Sequence, residues 1–276
     1  MASVTAKFWI SGDNLDFNYI TSILPLDFET KRKEDYRPTI QIAGLAFDTL
    51  CYSITQSGIG ISSVMSSMFN LLAMYKSEIK KIRETFRCKL NVTSVVEMEE
   101  EESIDLSLSN YCINCLSDIG ANYVCDLYLF EKEDINYSKE IFSDDCWEPD
   151  NITAIIGFEL SIGDGINKCS ELKEALKKMQ EKGDDFASFD VEKGKLVASP
   201  CAECSVSDAL APFKECLETK GKELLALLED GFYETCLTAN VKSKKNFMDV
   251  LLELSDTDVH FLSVHGMSFN IDFLSL

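Results

Sequence analysis

Residues 108–126, LSNYCINCLSDIGANYVCD, recur at residues 254–272 as LSDTDVHFLSVHGMSFNID, and these paired segments indicate the fold of the chain. At a constant offset of 146, the two segments share six identities in 19 positions. Each predicts a helix that ends at a glycine, Gly120 or Gly266, and is followed by a short strand, because glycine tolerates the left-handed cap conformation. The chain is therefore predicted to contain one structural unit written twice.

The residues before these segments follow the same order of elements in both halves. Each half begins with a β-rich run that ends in Gly-Asp, followed by a short helical pattern, a second β-rich stretch, a long helix and another strand. We expect an α+β protein made of two tandem related domains, each a mostly antiparallel or mixed sheet covered by helices. The matched stretches are 4–11 and 152–162 for the first strand, 42–55 and 186–198 for the second β-rich stretch, 62–87 and 207–229 for the long helix, and 88–97 and 232–241 for the next strand.

A connector of different composition separates the halves. Residues 131–150 hold eight acidic residues and two lysines, with Pro149 near the end. The expected domains are therefore a first α+β repeat at 1–130, an acidic linker at 131–150 and a second α+β repeat at 151–276.

The charge of the chain restricts its partners. The 276 residues include 47 Asp and Glu against 26 Lys and Arg, which gives a net charge of −21. Binding to nucleic acid or to an anionic membrane depends on Lys and Arg, so we expect neither. A basic protein is the partner that such a field would attract, although the charge can also serve solubility alone.

The N-terminus and the cysteines predict a cytoplasmic protein. No cationic segment followed by an apolar one begins the chain, and eleven cysteines are better explained as reduced thiols than as a disulfide framework. The stretch from Thr49 to Tyr75 carries no charged residue, but its many Ser, Gly, Gln and Asn residues argue against a membrane span. It predicts a buried strand followed by a buried helix.

The sequence resembles a bacterial domain-of-unknown-function family, the one numbered four-two-seven-nine. The resemblance lies in Ile10-Ser11-Gly12-Asp13 after the first strand, the short and long helices, and the Leu-Ser…Leu…Gly…Asp-Leu-Tyr pattern that ends at Tyr128. It covers residues 4–130 and, more weakly, 152–274, which implies a tandem of two such domains. The family implies no catalytic residues, and some relatives resemble immunity or antagonist proteins of bacterial conflict systems.

Two Cys-x-x-Cys pairs, Cys112/Cys115 and Cys201/Cys204, are the candidates for a metal or redox site. Four thiolates could hold Zn²⁺, and Cys201/Cys204 could form a redox dithiol. However, the pairs are 85 residues apart, and Cys112 and Cys115 share a predicted helix face with apolar residues, so packing is the favoured interpretation. We therefore expect no metal and no cofactor.

The remaining catalytic candidates are weak. The two histidines, His260 and His265, lie near the last helix, where His265 is suited to interact with terminal helix carbonyls. The turns at Gly12-Asp13 and Gly163-Asp164 lack a phosphate-binding pattern, and Asp13 or Asp16 is expected to cap the first helix. The sequence therefore predicts no catalytic residue and no enzyme.

Two acidic clusters are the candidate binding sites. The first contains Glu97 and five further carboxylates, and the second, in the linker, surrounds Trp147. Acidic residues beside an exposed aromatic would suit an inhibitor that recognises a basic surface, whereas the alternative is two solvated loops. The predicted partner-binding residues are Glu99, Glu100, Glu101, Glu102, Asp105, Asp144, Asp145 and Trp147.

These features favour an acidic protein-binding antagonist, immunity-like or anti-defence, that masks a basic toxin or defence factor. The alternatives are a cysteine-based metal or redox protein and a self-associating structural or sensory module. Residues 61–75 form a predicted helix without charge, which we expect to pack between the two domains or in a homodimer.

Overall fold

The computed structural model confirms the mixed α+β fold. It describes residues 2–36, 46–99, 104–130, 154–162, 170–181, 187–190, 195–198, 201–202, 206–229, 234–243 and 250–275. Helices and strands alternate in both repeats, in the order that the sequence predicts.

The first repeat contributes five strands and four α-helices to the described part of the chain. Its single long predicted helix is two helices, α2 and α3, joined by a 3-10 turn at Ala73–Tyr75. The elements are β1 Ser3–Gly12, α1 Phe17–Ile23, β2 Glu29–Lys31, β3 Asp48–Ser57, α2 Ile61–Leu72, α3 Lys76–Phe86, β4 Lys89–Glu99, α4 Asn110–Ile119 and β5 Asn122–Phe130.

The second repeat follows the same order with two additions, a short strand before its long helical stretch and a strand before its last helix. Its second β-rich stretch contains the antiparallel pair β7 and β8. The elements are β6 Ala154–Ile162, α5 Ser170–Glu181, β7 Ala187–Asp190, β8 Lys195–Ala198, β9 Cys201–Ala202, α6 Val206–Lys220, α7 Lys222–Glu229, β10 Thr235–Ser243, β11 Val250–Leu254, α8 Asp256–Val264 and β12 Met267–Ser275.

Two six-stranded sheets have the same central arrangement. Sheet A runs β11-β5-β4-β1-β3-β2, and sheet B runs β12-β10-β6-β8-β7, with β9 also paired to β6. In each sheet the first strand of the repeat lies antiparallel to both neighbours. The last strand of each repeat is parallel to the strand beside it, β5 to β4 and β12 to β10. This shared topology supports the interpretation of the chain as a duplicated unit.

Each repeat also places a segment at the edge of the other repeat's sheet. Strand β11 of the second repeat pairs antiparallel with β5 of the first, with Leu254 opposite Tyr123. Reciprocally, Leu108 of the first repeat forms a β-bridge with Phe269 of β12. The two pairs are related by the offset of 146 that relates the repeats, so the exchange follows a pseudo-two-fold symmetry.

Helices α4 and α8 pack against each other beside this exchange. The Ser117 hydroxyl lies 3.2 Å from Nδ1 of His260, and the Ser263 hydroxyl donates to the Asn114 side-chain oxygen at 2.8 Å. The offset of 146 converts one of these pairs into the other. Each half therefore uses the same surface patch to contact the other. Such a contact is called isologous and is typical of a two-fold dimer.

The helices at this contact end at the glycines that the sequence predicts, and serines cap their first turns. The side chains of Ser109 and Ser255 cap α4 and α8 by accepting from Cys112 N and Asp258 N. Gly120 and Gly266 follow the helices with φ of 66° and 62°, the left-handed region that favours glycine. These caps fix the direction in which each chain enters the exchanged edge.

Among the described residues, the uncharged segment packs chiefly within the first repeat. Helix α2 packs its buried residues against β1, β3 and β4 of its own sheet and against α4, while Ser63, Ser67 and Asn70 are exposed. The inter-repeat position expected for it is therefore wrong, because α4, α8 and the exchanged segments form that contact. Self-association through residues 61–75 stays a prediction.

Among the described residues, no helix combines the length and the apolar character that crossing a membrane requires.

Candidate functional surface

The alternation of strand residues divides sheet A into two faces. In β1, Phe8 and Ile10 are fully buried beneath the helices, whereas Lys7 and Trp9, which alternate with them, are partly exposed. The outer face of sheet A is the side that carries Lys7 and Trp9.

Three carboxylates from three strands lie on this outer face, and we call them the acidic face: Glu97, Asp126 and Glu253. Their strand neighbours Val96, Cys125, Leu127, Leu252 and Leu254 are buried, which places the carboxylates on the opposite side. Strands β4, β5 and β11 are adjacent, and the register sets Asp126 opposite Val95 and Glu253 opposite Val124. Neighbouring strands lie about 4.8 Å apart, so the three charges form one diagonal row.

Neighbouring hydroxyls hold two of these carboxylates. Ser3 Oγ donates to Glu97 at 3.1 Å, and the Tyr128 hydroxyl donates to Asp126 at 2.8 Å. Glu253 is exposed and is supplied by the second repeat through the strand exchange. The acidic face therefore exists only where both repeats meet.

The other end of the outer face carries an aromatic and a cationic group. Lys7 Nζ lies 5.9 Å from the ring centroid of Trp9. Trp9 is opposite Cys51, which is only 6% exposed. Burial raises the pKa of the Cys51 thiol to about 11, with Lys7 opposing the rise and Glu29 adding to it. This thiol is consequently a poor nucleophile near neutral pH.

Among the predicted binding residues, Asp105 is fully described and has a local structural role. Its carboxylate accepts from Ser107 N at 2.9 Å, and its carbonyl accepts from Ile61 N at the start of α2 at 2.9 Å. Gly60 allows this approach, since a Cβ there would lie 2.8 Å from Asp105 Cβ. Asp105 is exposed, so its part in binding a partner stays a prediction.

The other predicted binding residues are placed only in part. Glu99 is the last residue of β4 and pairs with Phe130, two positions beyond Glu97. Glu100, Glu101, Glu102, Asp144, Asp145 and Trp147 lie outside the described residues.

Cys112 and Cys115 lie on α4, as the sequence predicts. The Cys112 thiol is fully buried, accepts from Ser109 Oγ at 3.4 Å and donates to the Ser62 carbonyl at 3.7 Å. The pKa of the Cys115 thiol is raised, chiefly by burial. Within the described part of the chain, no group of three or more His, Cys, Asp or Glu could hold a metal ion. Cys201 is in β9, and the thiols of Cys201 and Cys204 lie outside the described side chains, so a metal or redox site at this pair stays the alternative to packing.

The histidines and the first turn have structural contacts. His260 lies in the α4–α8 contact, and His265 is 3.2 Å from Glu229 and edge-on to the Phe261 ring. Burial lowers the pKa of His265, while Glu229 opposes that shift. Asp16 accepts from Tyr19 N at 3.0 Å, which confirms that it caps α1.

Sequence reasoning identified consecutive acidic residues and missed two of the three carboxylates in the acidic face. Glu97 belongs to the first acidic cluster, whereas Asp126 and Glu253 are isolated in the sequence. Their position as charged residues between buried neighbours in apolar strands is the signal that could have found them.

Comparison with known proteins gives one family. No curated protein and no solved structure matches the chain. Residues 2–130 match the model of a family described as Domain of unknown function (DUF4279). This range ends with β5, so it coincides with the first repeat defined by the internal duplication. The first repeat, residues 2–130, is therefore similar to the DUF4279 family over its whole length.

Proposed function

We propose that this chain is a non-enzymatic, acidic protein-binding antagonist, immunity-like or anti-defence, which masks a basic partner such as a toxin or a defence factor. The observation that carries the proposal is the acidic face, in which Glu97, Asp126 and Glu253 converge from three strands of sheet A.

The charge of the whole molecule supports this function. A net charge of −21 attracts a basic protein at long range, and a local row of carboxylates orients it on contact. Trp9, on the same face, offers the type of aromatic side chain that often anchors an interface. Strand β4 ends at Glu99, two positions beyond Glu97, so the acidic run that begins at Glu99 follows directly in the sequence.

The environment of the thiols also favours binding over catalysis. Burial raises the pKa of Cys51 and Cys88 to about 11 and of Cys125 to about 12, which keeps these thiols protonated near neutral pH. None of the seven cysteines whose side chains the structure describes forms a disulfide, in keeping with the reducing cytoplasm in which we propose that the protein acts.

The test compares two variants that carry the same charge change. One replaces the acidic face by Glu97→Gln, Asp126→Asn and Glu253→Gln. The matched control changes three exposed helical carboxylates of the second repeat, Glu171→Gln, Glu181→Gln and Glu215→Gln. The immobilised wild-type chain first captures basic proteins from a lysate of the cells in which it is naturally produced. The captured protein is then purified, and its association with each variant is measured.

We expect the association rate constant with the captured protein to fall about tenfold between 50 and 300 mM salt, because exposed charges are screened. The acidic-face variant should associate at least about threefold more slowly than the control variant. Failure to capture any basic protein, or equal rate constants for the two variants, would exclude this function for the acidic face.

A further inference from the structure

The contact between the repeats provides an interaction surface for a second copy of the same unit. It is built from reciprocal pairs: Leu254 with Tyr123 and Leu108 with Phe269 in the sheets, and Ser117 with His260 and Asn114 with Ser263 between the helices. Each half therefore presents to the other an equivalent edge and an equivalent helix face. Such a surface is self-complementary, as in a C₂ homodimer.

The two repeats contribute extended chain to each other. The described residues of β11 pair with β5 over five positions, and Leu108 exchanges both backbone hydrogen bonds with Phe269, at 2.6 and 3.0 Å. Arg83 adds an ion pair to Asp256 across the contact at 3.0 Å. None of these contacts requires that the two repeats belong to the same polypeptide.

The connection between the repeats is long enough to permit a different partner. Residues 131–153 separate β5 from β6. This segment can span up to about 75 Å when extended, whereas a domain of this size is roughly 35 Å across. A first repeat can therefore bind the second repeat of another chain without strain in the connection.

We propose that this surface pairs two copies of the chain by reciprocal exchange, in which the first repeat of each copy binds the second repeat of the other. Every contact of the single chain is kept in the exchanged dimer, and only the identity of the chain that supplies it changes. Tethering gives the internal partner an effective concentration in the millimolar range, so the single chain predominates at micromolar concentration. The exchanged dimer increases with protein concentration during folding. This inference is independent of the partner of the acidic face.

The test uses two full-length variants that can form a 124–253 disulfide only across exchanged repeats. Val124 and Glu253 lie directly opposite each other on β5 and β11, a separation suited to a disulfide. One chain carries Val124→Cys, and the other, labelled with ¹⁵N, carries Glu253→Cys. The two are mixed in urea, refolded together at 10 and 100 µM, oxidised and digested, and the mixed 124–253 peptide is quantified by mass spectrometry.

Two controls make each outcome decisive. The double variant Val124→Cys/Glu253→Cys, refolded alone at 10 µM, should form the disulfide within one chain. A mixture of Val124→Cys with Glu171→Cys, an exposed site on α5, measures random cross-linking. We expect a mixed 124–253 peptide of roughly 1% at 10 µM that rises about tenfold at 100 µM, well above this background. A yield equal to the background at both concentrations overturns the exchange, and failure of the double variant to cross-link overturns the strand pairing on which it rests.

Discussion

Leu254 belongs to the second repeat but completes the sheet of the first, which predicts that its truncation destabilises the first repeat. The side chain is only 1% exposed and lies in β11, opposite Tyr123 at the edge of sheet A. Replacement of a buried leucine by alanine removes apolar contacts and leaves a cavity, at a cost of about 2–5 kcal/mol. We expect Leu254→Ala to lower the free energy of unfolding of the first repeat by about 3 kcal/mol.

Trp9 fluorescence provides the assay, because Trp9 lies on β1 at the centre of sheet A. Trp147 is the other tryptophan of the chain, so Trp147→Phe makes Trp9 the sole reporter. With a urea dependence of roughly 3 kcal/mol per M, a loss of about 3 kcal/mol moves the midpoint by about 1 M.

The matched control is Leu172→Ala, which removes the same atoms from a fully buried position on α5. Helix α5 packs against α7 and β7 of the second repeat. The Trp9 transition should shift more in Leu254→Ala than in Leu172→Ala. An unchanged Trp9 midpoint in Leu254→Ala would refute the conclusion that β11 stabilises the first repeat.

Two further predictions concern the glycines and the thiols. Gly120→Ala forces an alanine into the left-handed region and against the Arg83 guanidinium. Gly266→Ala is equally left-handed, but its Cβ would lie 3.8 Å from the Leu228 carbonyl, an ordinary contact distance. Urea denaturation should show that each variant lowers the free energy of unfolding by about 1–2 kcal/mol. Gly120→Ala should lower it by up to about 1 kcal/mol more, because the new methyl group displaces Arg83 from its ion pair with Asp256. Equal losses in the two variants would contradict the contact between Gly120 and Arg83. Burial raises the thiol pKa values of Cys88 and Cys125 from 9.0 to about 11 and about 12, so the unfolded state loses these protons first as the pH rises. The stability that these protonated thiols contribute is complete below pH 9 and is lost as the pH rises from 9 toward 12. The double variant Cys88→Ala/Cys125→Ala should therefore show a smaller fall in Tm between pH 9 and 11 than the wild type. An equal fall in both proteins would argue against buried thiols at these positions.

The repeated elements could be predicted from sequence because their signals are local. Ser109 and Ser255 cap the last helices and Gly120 and Gly266 end them, so the same residue types mark the same boundaries in both halves. The buried alternation in β1 likewise follows directly from apolar residues at every second position.

The strand exchange could not be predicted from local signals. An apolar strand such as β11 shows the same pattern whether it joins its own sheet or that of the other repeat. The pairing of Leu254 with Tyr123 and of Leu108 with Phe269 depends on contacts between residues far apart in the chain. Leu108 and Leu254 are identical within the repeated segment, but this identity does not indicate which strand either residue pairs with.

The candidate binding surface was missed for a related reason. Sequence reasoning detects carboxylates that follow one another, as at 99–102. The acidic face instead collects Glu97, Asp126 and Glu253 from strands that become neighbours only after folding. The register of three strands, which no local pattern specifies, sets their spacing.

The position of β11 also affects the order of events during synthesis. The ribosome completes β5 more than a hundred residues before it reaches Leu254, an interval of roughly 6–25 s at ordinary elongation rates. Throughout that interval, the β5 edge lacks the strand that later covers it, and uncovered edges invite pairing with other nascent chains. The protein is therefore most prone to misassembly when many ribosomes translate one messenger RNA at the same time. Slower protein production should increase the yield of correctly folded chain.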